Sequence, residues 1–183
     1  MIGGDFDAVL VAAQAGDDAA VVRLYRDLNP ALVRFLGAQA AGSGEDLAQE
    51  VWLAAAKGLE SFSGDENGFR AWMFTIARRQ LISHWRQARR RPHRATDPAA
   101  LADLESSSED DVDTGILADE AVLALVAGLS REQAEIVLLR VVAGFDAEQV
   151  GAIVGKRAST VRVLQHRALR RLAQRFAEEP VTK

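Results

Sequence analysis

The stretch from Val154 to Phe176 constrains the fold of this chain most, because it combines a helical apolar repeat with a surface that carries no acidic residue. Its apolar positions recur every three to four residues, which stacks them on one side of an α-helix: Val161, Leu164, Ala168 and Leu172. The remaining sides carry mainly cationic and polar residues: Lys156, Arg157, Ser159, Arg162, Val163, His166, Arg167, Arg170, Arg171 and Arg175. Such a helix either binds a polyanion or is an ordinary solvated amphipathic helix.

Composition favours helices throughout. Ala, Leu, Arg, Glu and Gln dominate the sequence, and 49% apolar residues in 183 are enough for one or two small cores. We therefore expect an all-α protein. The chain has no cysteine, which excludes disulfides, thiolate nucleophiles and cysteine-ligated zinc within it. No signal sequence or membrane-spanning run is recognisable, so a cytoplasmic location without membrane insertion is expected.

The formal net charge of -4 hides separate blocks of charge. Two or three helices are expected between Asp5 and Gln39, with Pro30 favouring a new helical start or a kink. A helix from Glu45 to about Leu59 follows. It carries an outward stripe at helical spacing: Asp46, Gln49, Glu50 and Leu53. This stripe is either a docking surface for a basic partner or an ordinary solvated face.

The segment 61–68 is a loop by composition, in which Asp65 and Asn67 favour turns, and a helix is expected to restart near Phe69. From Phe69 to Arg91 the sequence has seven arginines and no acidic residue. One helical face carries Arg79, Ser83, Arg86 and Arg90. That face can follow a phosphate backbone, and neighbouring aromatic rings can stack on unpaired bases. Phe74 and Ile76 are expected in the core, whereas Trp72 lies beside the loop.

An acidic segment separates this helix from the C-terminal part of the chain. Residues 92–115 contain seven carboxylates around a Ser106–Ser108 run, typical of a flexible tether, or of a nucleic-acid mimic. A short apolar helix from Ile116 to Ala127 is expected next, followed by a helix from Arg131 to Ala143. Ser130 with Gln133 indicates a capping box. Asp146 is expected to cap a short helix, 147–154. That helix, a turn at Gly155 and the basic helix then form a helix-turn-helix.

Two separate segments resemble one family. The run from Asp46 to Trp52, the loop, and the run from Phe69 to Arg78 are similar to domain 2 of extracytoplasmic-function sigma factors of the sigma-70 family. The run from Leu129 through Gly155 to Leu172 is similar to their domain 4. The resemblance implies domain 2 at 1–91, the linker at 92–115, domain 4 at 116–178 and a tail at 179–183.

The resemblance also implies partners and site residues. Domain 2 would dock on the β′ clamp helices of core RNA polymerase through the Asp46, Gln49, Glu50 and Leu53 stripe. Domain 4 would contact the β flap. The minus-ten promoter element would be melted and read by Phe62, Asp65, Asn67, Phe69, Trp72, Arg78, Arg79, Ser83, Arg86 and Arg90. The minus-thirty-five element would be read by Lys156, Arg157, Ser159, Thr160, Arg162, Val163, His166, Arg167 and Arg170. An anti-sigma factor would control the protein, and no cofactor or metal is implied.

The sequence departs from the family pattern at several of these positions. Arg79 and Ser83 stand where Asn and Asp are common, and Arg157, Ser159, Val163 and Leu164 replace the more usual Ser, Gly, Ser and Arg. These changes predict a specialised promoter set.

Two other classes of function compete with this interpretation. A free-standing helix-turn-helix regulator would bind DNA without polymerase, but it leaves the N-terminal half unexplained. An enzyme is disfavoured because His84, His93 and His166 lie far apart, and no metal-ligand spacing or phosphate loop occurs.

Overall fold

The computed structural model describes residues 1–90 and 122–178, and all regular elements in these ranges are helical, which confirms the all-α prediction. A 3-10 turn at Gly3–Asp5 precedes the first α-helix, and residues 122–126 are also helical. The longer helices are α1 (Phe6–Gln14), α2 (Asp18–Gly37), α3 (Gly44–Leu59), α4 (Glu66–Arg90), α5 (Arg131–Val141), α6 (Ala147–Val154) and α7 (Ala158–Glu178). The expected acidic linker, the start of the 116–127 helix and the 179–183 tail lie outside the described residues.

Helices α1 to α4 form an N-terminal unit. Asp17 begins α2, because its side chain accepts a hydrogen bond from the Ala20 amide at 2.9 Å. The expectation of a new helix at Pro30 was wrong, since α2 runs through it. Proline removes one backbone hydrogen bond from a helix interior, but Leu28 and Leu32 on either side are buried and hold the helix against the core.

The core of the N-terminal unit consists of large apolar side chains from all four helices. Helix α1 contributes Phe6 and Leu10, which are 3% and 6% exposed. The other three helices contribute side chains that are fully or almost fully buried: Leu24, Leu28, Leu32, Phe35, Leu36, Val51, Met73, Phe74 and Leu81. Burial of Leu47, Val51 and Ala55 fixes the rotation of α3 and turns its opposite face to solvent. The same packing fixes the rotation of α4, which buries Phe69, Met73, Phe74, Ile76, Ala77 and Leu81.

The C-terminal unit begins its helices as the sequence predicts. Ser130 and Gln133 form the expected capping box at α5, and Asp146 and Gln149 form a second one at α6. Gly155 ends α6 in the left-handed conformation with φ of 73°. These caps set the short helix, tight turn and longer helix of a helix-turn-helix between Ala147 and Glu178.

The two units share one apolar core through Phe74. Its ring lies 5.3 Å from the Phe35 ring, within the N-terminal unit, and 5.2 Å from the Phe145 ring of the C-terminal unit. Phe145 is 2% exposed and lies in the connection between α5 and α6. Helix α4 therefore packs against the C-terminal unit on one side and against α2 and α3 on others.

Candidate polymerase and nucleic-acid interfaces

The stripe predicted on α3 is exposed along its whole length. Asp46, Gln49 and Glu50 face solvent, and Leu53 is 68% exposed. Among the described residues, neither carboxylate of this stripe makes an ion pair, and Gln49 makes no side-chain hydrogen bond. An exposed large leucine among carboxylates that no neighbour neutralises is suited to contact with a partner.

Helix α2 also carries exposed apolar side chains, one of which contacts α3, and sequence reasoning missed them. Val22 is 45% and Tyr25 41% exposed, and the Tyr25 ring lies 5.2 Å from the half-buried Trp52 ring of α3. The Trp52 indole Nε1 donates a hydrogen bond to Asn29 Oδ1 at 3.1 Å, which fixes the orientation of the ring against α2. The sequence does indicate these exposed side chains, because Val22 and Tyr25 are three residues apart and share a face of α2 that contributes no buried residue to the core.

The loop between α3 and α4 is shorter than predicted, because α4 begins at Glu66 and not near Phe69. Asp65 caps this earlier start. Its carboxylate accepts a hydrogen bond from the Gly68 amide at 2.7 Å, and its carbonyl accepts one from the Phe69 amide at 2.9 Å. Asp65 therefore shapes the loop, while the neighbouring Asn67 is exposed at the helix start.

Three aromatic rings that were expected among the minus-ten residues lie in one cluster. The Phe62 ring is 5.1 Å from Trp72 and 5.5 Å from Phe69, and Phe69 is 5.8 Å from Trp72. Phe69 is only 3% exposed and also contacts Phe6, so its expected direct contact with DNA is not available in this structure. Its ring instead supports Phe62 and Trp72, which are both half-buried.

Trp72 lines an open groove between α3 and α4. Its lining includes the apolar side chains of Trp72 and Ile76 and the cationic side chains of Lys57 and Arg79. Gly58 allows the close approach of the indole, since an added Cβ would lie 3.1 Å from Trp72 Cζ2. Sequence reasoning found Trp72 and Arg79 but missed Lys57, Gly58 and Gln80, which join the groove only through the packing of α3 on α4.

The arginines of α4 lie on two different faces. Arg79, Arg86 and Arg90 are exposed and Ser83 is half-buried beside them, so the predicted cationic face is open to solvent. Arg78 lies on the other face and its Nε is 2.8 Å from Glu135 Oε1 of α5. Arg78 was expected to contact DNA together with Arg79, but the structure separates the two because adjacent helix positions point about 100° apart.

The helix-turn-helix presents its predicted residues to solvent. The apolar ridge of α7 is buried as predicted at Val161, Ala168 and Leu172, with Leu164 half-buried. The outward residues are all exposed: Arg157, Ser159, Thr160, Arg162, Val163, His166, Arg167 and Arg170. Lys156 is partly buried and its Nζ lies 2.7 Å from Glu132.

Three glutamates of the C-terminal unit pair with cations from the predicted DNA-binding set. Glu132 pairs with Lys156, Glu148 pairs with Arg162 at 2.6 Å, and Glu135 pairs with Arg78. The Glu148–Arg162 pair is exposed and the Glu132–Lys156 pair is partly exposed, whereas the carboxylate of the third pair is buried, since Glu135 is 7% exposed. Burial raises the pKa of Glu135, and the Arg78 guanidinium opposes this shift without cancelling it.

Other classes of site find no support in the described ranges 1–90 and 122–178. No group of three or more His, Asp and Glu side chains there has the spacing of a metal site. None of the helices in those ranges is long and apolar enough to cross a bilayer.

Comparison with known proteins identifies both units. The family model described as Sigma-70 region 2 matches residues 21–91, and that described as Sigma-70, region 4 matches residues 119–172. The ECF RNA polymerase sigma factor BldN of Streptomyces coelicolor is 32% identical over 170 residues, which span 91% of this chain and 64% of that relative. The ECF RNA polymerase sigma factor SigD of Mycobacterium tuberculosis is 34% identical over 180 residues, spanning 94% of this chain and 84% of that relative.

Solved structures agree with the sequence relatives. The sigma factor RpoE of Bartonella quintana, crystallised with the anti-sigma factor NepR, is 26% identical with a TM-score of 0.62, over 87% of this chain and 98% of that one. CnrH, solved with the cytosolic domain of CnrY, shares the fold at 19% identity with a TM-score of 0.67, over 95% of this chain and 99% of that one. Both sigma-70 regions occur in order, and relatives of that class align with most of the chain. This chain therefore belongs to the extracytoplasmic-function family of RNA polymerase sigma factors.

Proposed function

We propose that this protein binds core RNA polymerase and directs transcription initiation from a specific set of promoters. The observation that carries the proposal is the combination, in one chain, of an exposed acidic stripe on α3 with exposed cationic faces on α4 and α7. A free-standing DNA-binding regulator would need α7 and would leave the other two surfaces without a role.

The α3 stripe of Asp46, Gln49, Glu50 and Leu53 is the proposed docking surface for the β′ clamp helices. Its carboxylates are exposed, so they can pair with basic residues of a partner without first losing an internal partner. Leu53 supplies an apolar contact at the end of the stripe, and Tyr25 of α2 is a further exposed apolar side chain that contacts α3 at Trp52.

The groove between α3 and α4 is the proposed site for an unstacked base of the minus-ten element. Trp72 and Ile76 offer apolar surface on which a base can stack, while Lys57 and Arg79 can contact its phosphates. Arg86 and Arg90 continue the cationic face along the same helix for the neighbouring backbone. Phe62, Asp65 and Asn67 form the adjoining loop, and capture of an extruded base there would drive melting without nucleotide hydrolysis.

Helix α7 is the proposed reader of the minus-thirty-five element. In a helix-turn-helix the N-terminal residues of the second helix contact base edges in the major groove, here Arg157, Ser159 and Val163. Exposed Arg167 and Arg170, further along the helix, are suited to phosphates, which fix register without reading sequence. The remainder of the C-terminal unit would contact the β flap.

The protein would act in the cytoplasm with the polymerase, and it would contribute no catalytic chemistry of its own. Control by an anti-sigma factor is part of the proposal. Its support is the Bartonella quintana relative, whose structure was solved with one.

Transcription with purified components tests the proposal. Core polymerase mixed with this protein should initiate from selected fragments of the genome that encodes it, and the double variant Gln49→Ala, Glu50→Ala should lose polymerase binding. Footprints obtained with and without core polymerase separate a sigma factor from a free-standing regulator, since only the holoenzyme should protect both promoter elements. Strong protection by the protein alone, with no effect of core polymerase, would contradict the proposal.

A further inference from the structure

The side chain of Gln14, the last residue of α1, reaches the loop that joins α3 to α4. Its Nε2 donates to the Leu59 carbonyl at 2.9 Å and to the Phe62 carbonyl at 2.7 Å. A primary amide has two N–H donors, so both hydrogen bonds can form at once. Gln14 therefore joins the last residue of α3 and the loop to a helix that contains none of the residues predicted to read the minus-ten element.

The far end of this loop is attached to the same N-terminal segment of the chain. The Glu66 carboxylate, at the start of α4, accepts hydrogen bonds from the backbone amides of Ile2 at 2.6 Å and Gly3 at 3.0 Å. The rings of Phe6 and Phe69 pack against each other, with their centres 5.7 Å apart. Both ends of the loop are thus held by one short segment, whose placement is fixed by the buried apolar face of α1.

The remaining hydrogen bonds of the loop in the described part of the chain are short-range. They include those from the Ser61 and Phe62 amides to carbonyls three residues earlier, and that from the Gly68 amide to Asp65. Such contacts define the shape of a turn, but they do not fix its position on the rest of the molecule. The hydrogen bond from Gln14 does so for the backbone of Phe62.

The backbone of Phe62 determines where its ring lies, and that ring contacts the proposed minus-ten site. The Phe62 ring lies 5.1 Å from the Trp72 ring, at an interplanar angle of 31°. It also lies close to the loop backbone, since an added Cβ at Gly64 would be 3.2 Å from Phe62 Cζ. Because Trp72 lines the groove between α3 and α4, a shift of Phe62 changes the surface that an unstacked base meets.

We propose that Gln14 is a positioning residue of the minus-ten site, which holds the loop so that Phe62 and Trp72 receive one unstacked base of the promoter. Gln14 acts without contacting DNA, because both of its amide donors are used by carbonyls of the chain. The proposal rests on the proposed function, since it requires base capture at this site. It makes α1 part of the apparatus that captures the base.

Hydrogen exchange in the free protein tests the attachment without polymerase. Gln14→Met keeps the approximate size of the side chain and removes both donors. We expect the amides of Phe62 and Gly68 to exchange about two- to tenfold faster, with unchanged helix content. Gln39→Met is the matched control, because Gln39 is also half-buried and donates to a carbonyl, that of Phe35 at 3.1 Å, towards the other end of α4. Unchanged exchange of the loop in Gln14→Met would overturn the proposal.

Binding of forked promoter DNA by the holoenzyme tests the effect on the site. The probes are forks with an unpaired non-template strand at the minus-ten element, either intact or with one abasic nucleotide at each position in turn. The captured base is the one whose removal weakens binding by the unchanged protein most. Gln14→Met should weaken binding of the intact fork by about two- to tenfold, the usual effect of one lost hydrogen bond. It should not weaken binding of the fork that lacks the captured base, and Gln39→Met should bind both forks normally.

A merely structural role of Gln14 gives a different result, because a destabilised chain binds the intact and abasic forks more weakly to the same extent. That result, or equal binding of the intact fork by Gln14→Met and the unchanged protein, would overturn the proposal. If the unchanged holoenzyme binds every abasic fork as well as the intact one, base capture fails and this role of Gln14 fails with it. If the unchanged protein binds no fork and no polymerase, the proposed function is removed, and hydrogen exchange still decides whether Gln14 holds the loop.

Discussion

Glu135 shows how a single buried carboxyl can join two units at a cost to their stability. Burial raises its pKa above the ordinary glutamate value, and desolvation is a larger effect than the attraction of Arg78. Because the folded chain holds the proton more tightly than the unfolded chain, this group favours folding most at acid pH. That contribution is lost as the pH rises through the raised pKa.

The Glu135→Gln substitution tests this sign. At neutral pH the variant should have a higher free energy of unfolding than the unchanged protein, since it keeps the acceptor for Arg78 without burying a charge. Below the ordinary glutamate pKa the difference should disappear. Denaturant unfolding at several pH values measures it. A variant less stable than the unchanged protein at neutral pH would show that the attraction of Arg78 exceeds the desolvation cost.

A single glycine also determines whether the helix-turn-helix can close. Gly151 in α6 faces the turn, and an added Cβ would lie 2.6 Å from the Lys156 carbonyl oxygen, closer than atoms pack. The obstacle is backbone, which cannot rotate away as a side chain can.

We expect Gly151→Ala to destabilise the C-terminal unit by about 1–3 kcal/mol, the usual cost of overpacking. Gly58→Ala is a suitable comparison, because its new Cβ would meet the edge of the Trp72 side chain at 3.1 Å, and a side chain can shift. Thermal unfolding of both variants measures the difference. Equal stability of Gly151→Ala and the unchanged protein would contradict the tight turn.

At the scale of elements, local signals predicted most helix boundaries. Ser130 with Gln133, and Asp146 ahead of Ala147, predicted helix starts that the structure confirms, because a cap depends only on residues three positions apart. The start of α4 was misplaced because Asp65 was treated as a turn residue, although it also serves as a cap. The prediction of a new helix at Pro30 was wrong for a different reason, since the packing of α2 against the core stabilises the helix by more than one missing hydrogen bond costs.

Helix α7 carries a prediction about phosphate contacts. Arg167→Ala should weaken promoter binding by the holoenzyme and reduce the slope of log affinity against log salt by about one, as expected for one lost phosphate contact. Arg26→Ala removes an exposed arginine of α2 outside the predicted DNA face and should leave the slope unchanged. Measurement of binding at several salt concentrations decides this. An unchanged slope for Arg167→Ala would show that this side chain does not face phosphate.

At the scale of the whole molecule, sequence reasoning predicted the two units but not their contact. The units follow from helical periodicity and caps, which are local. The contact between the units depends on Phe145, which lies in a connection between helices, and on the face of α4 that carries Arg70 and Arg78. No local sequence pattern predicts either feature. The same limit applies to the groove between α3 and α4, where Lys57 and Arg79 meet only after packing.

The shared core predicts coupled unfolding of the two units. Phe74 lies between Phe35 and Phe145, so loss of either unit exposes its ring, and we expect the unchanged chain to unfold in one cooperative transition. Phe145→Ala removes the aromatic contact between the units and should cost about 3–5 kcal/mol, the range for buried phenylalanine. It should also split unfolding into two transitions.

Phe62→Ala, which removes a half-buried ring from the α3–α4 loop, should lower stability and keep a single transition. Calorimetry and hydrogen exchange of α2 and α7 distinguish these outcomes, since a single transition in Phe145→Ala would mean that the remaining contacts of α4 couple the units without this ring.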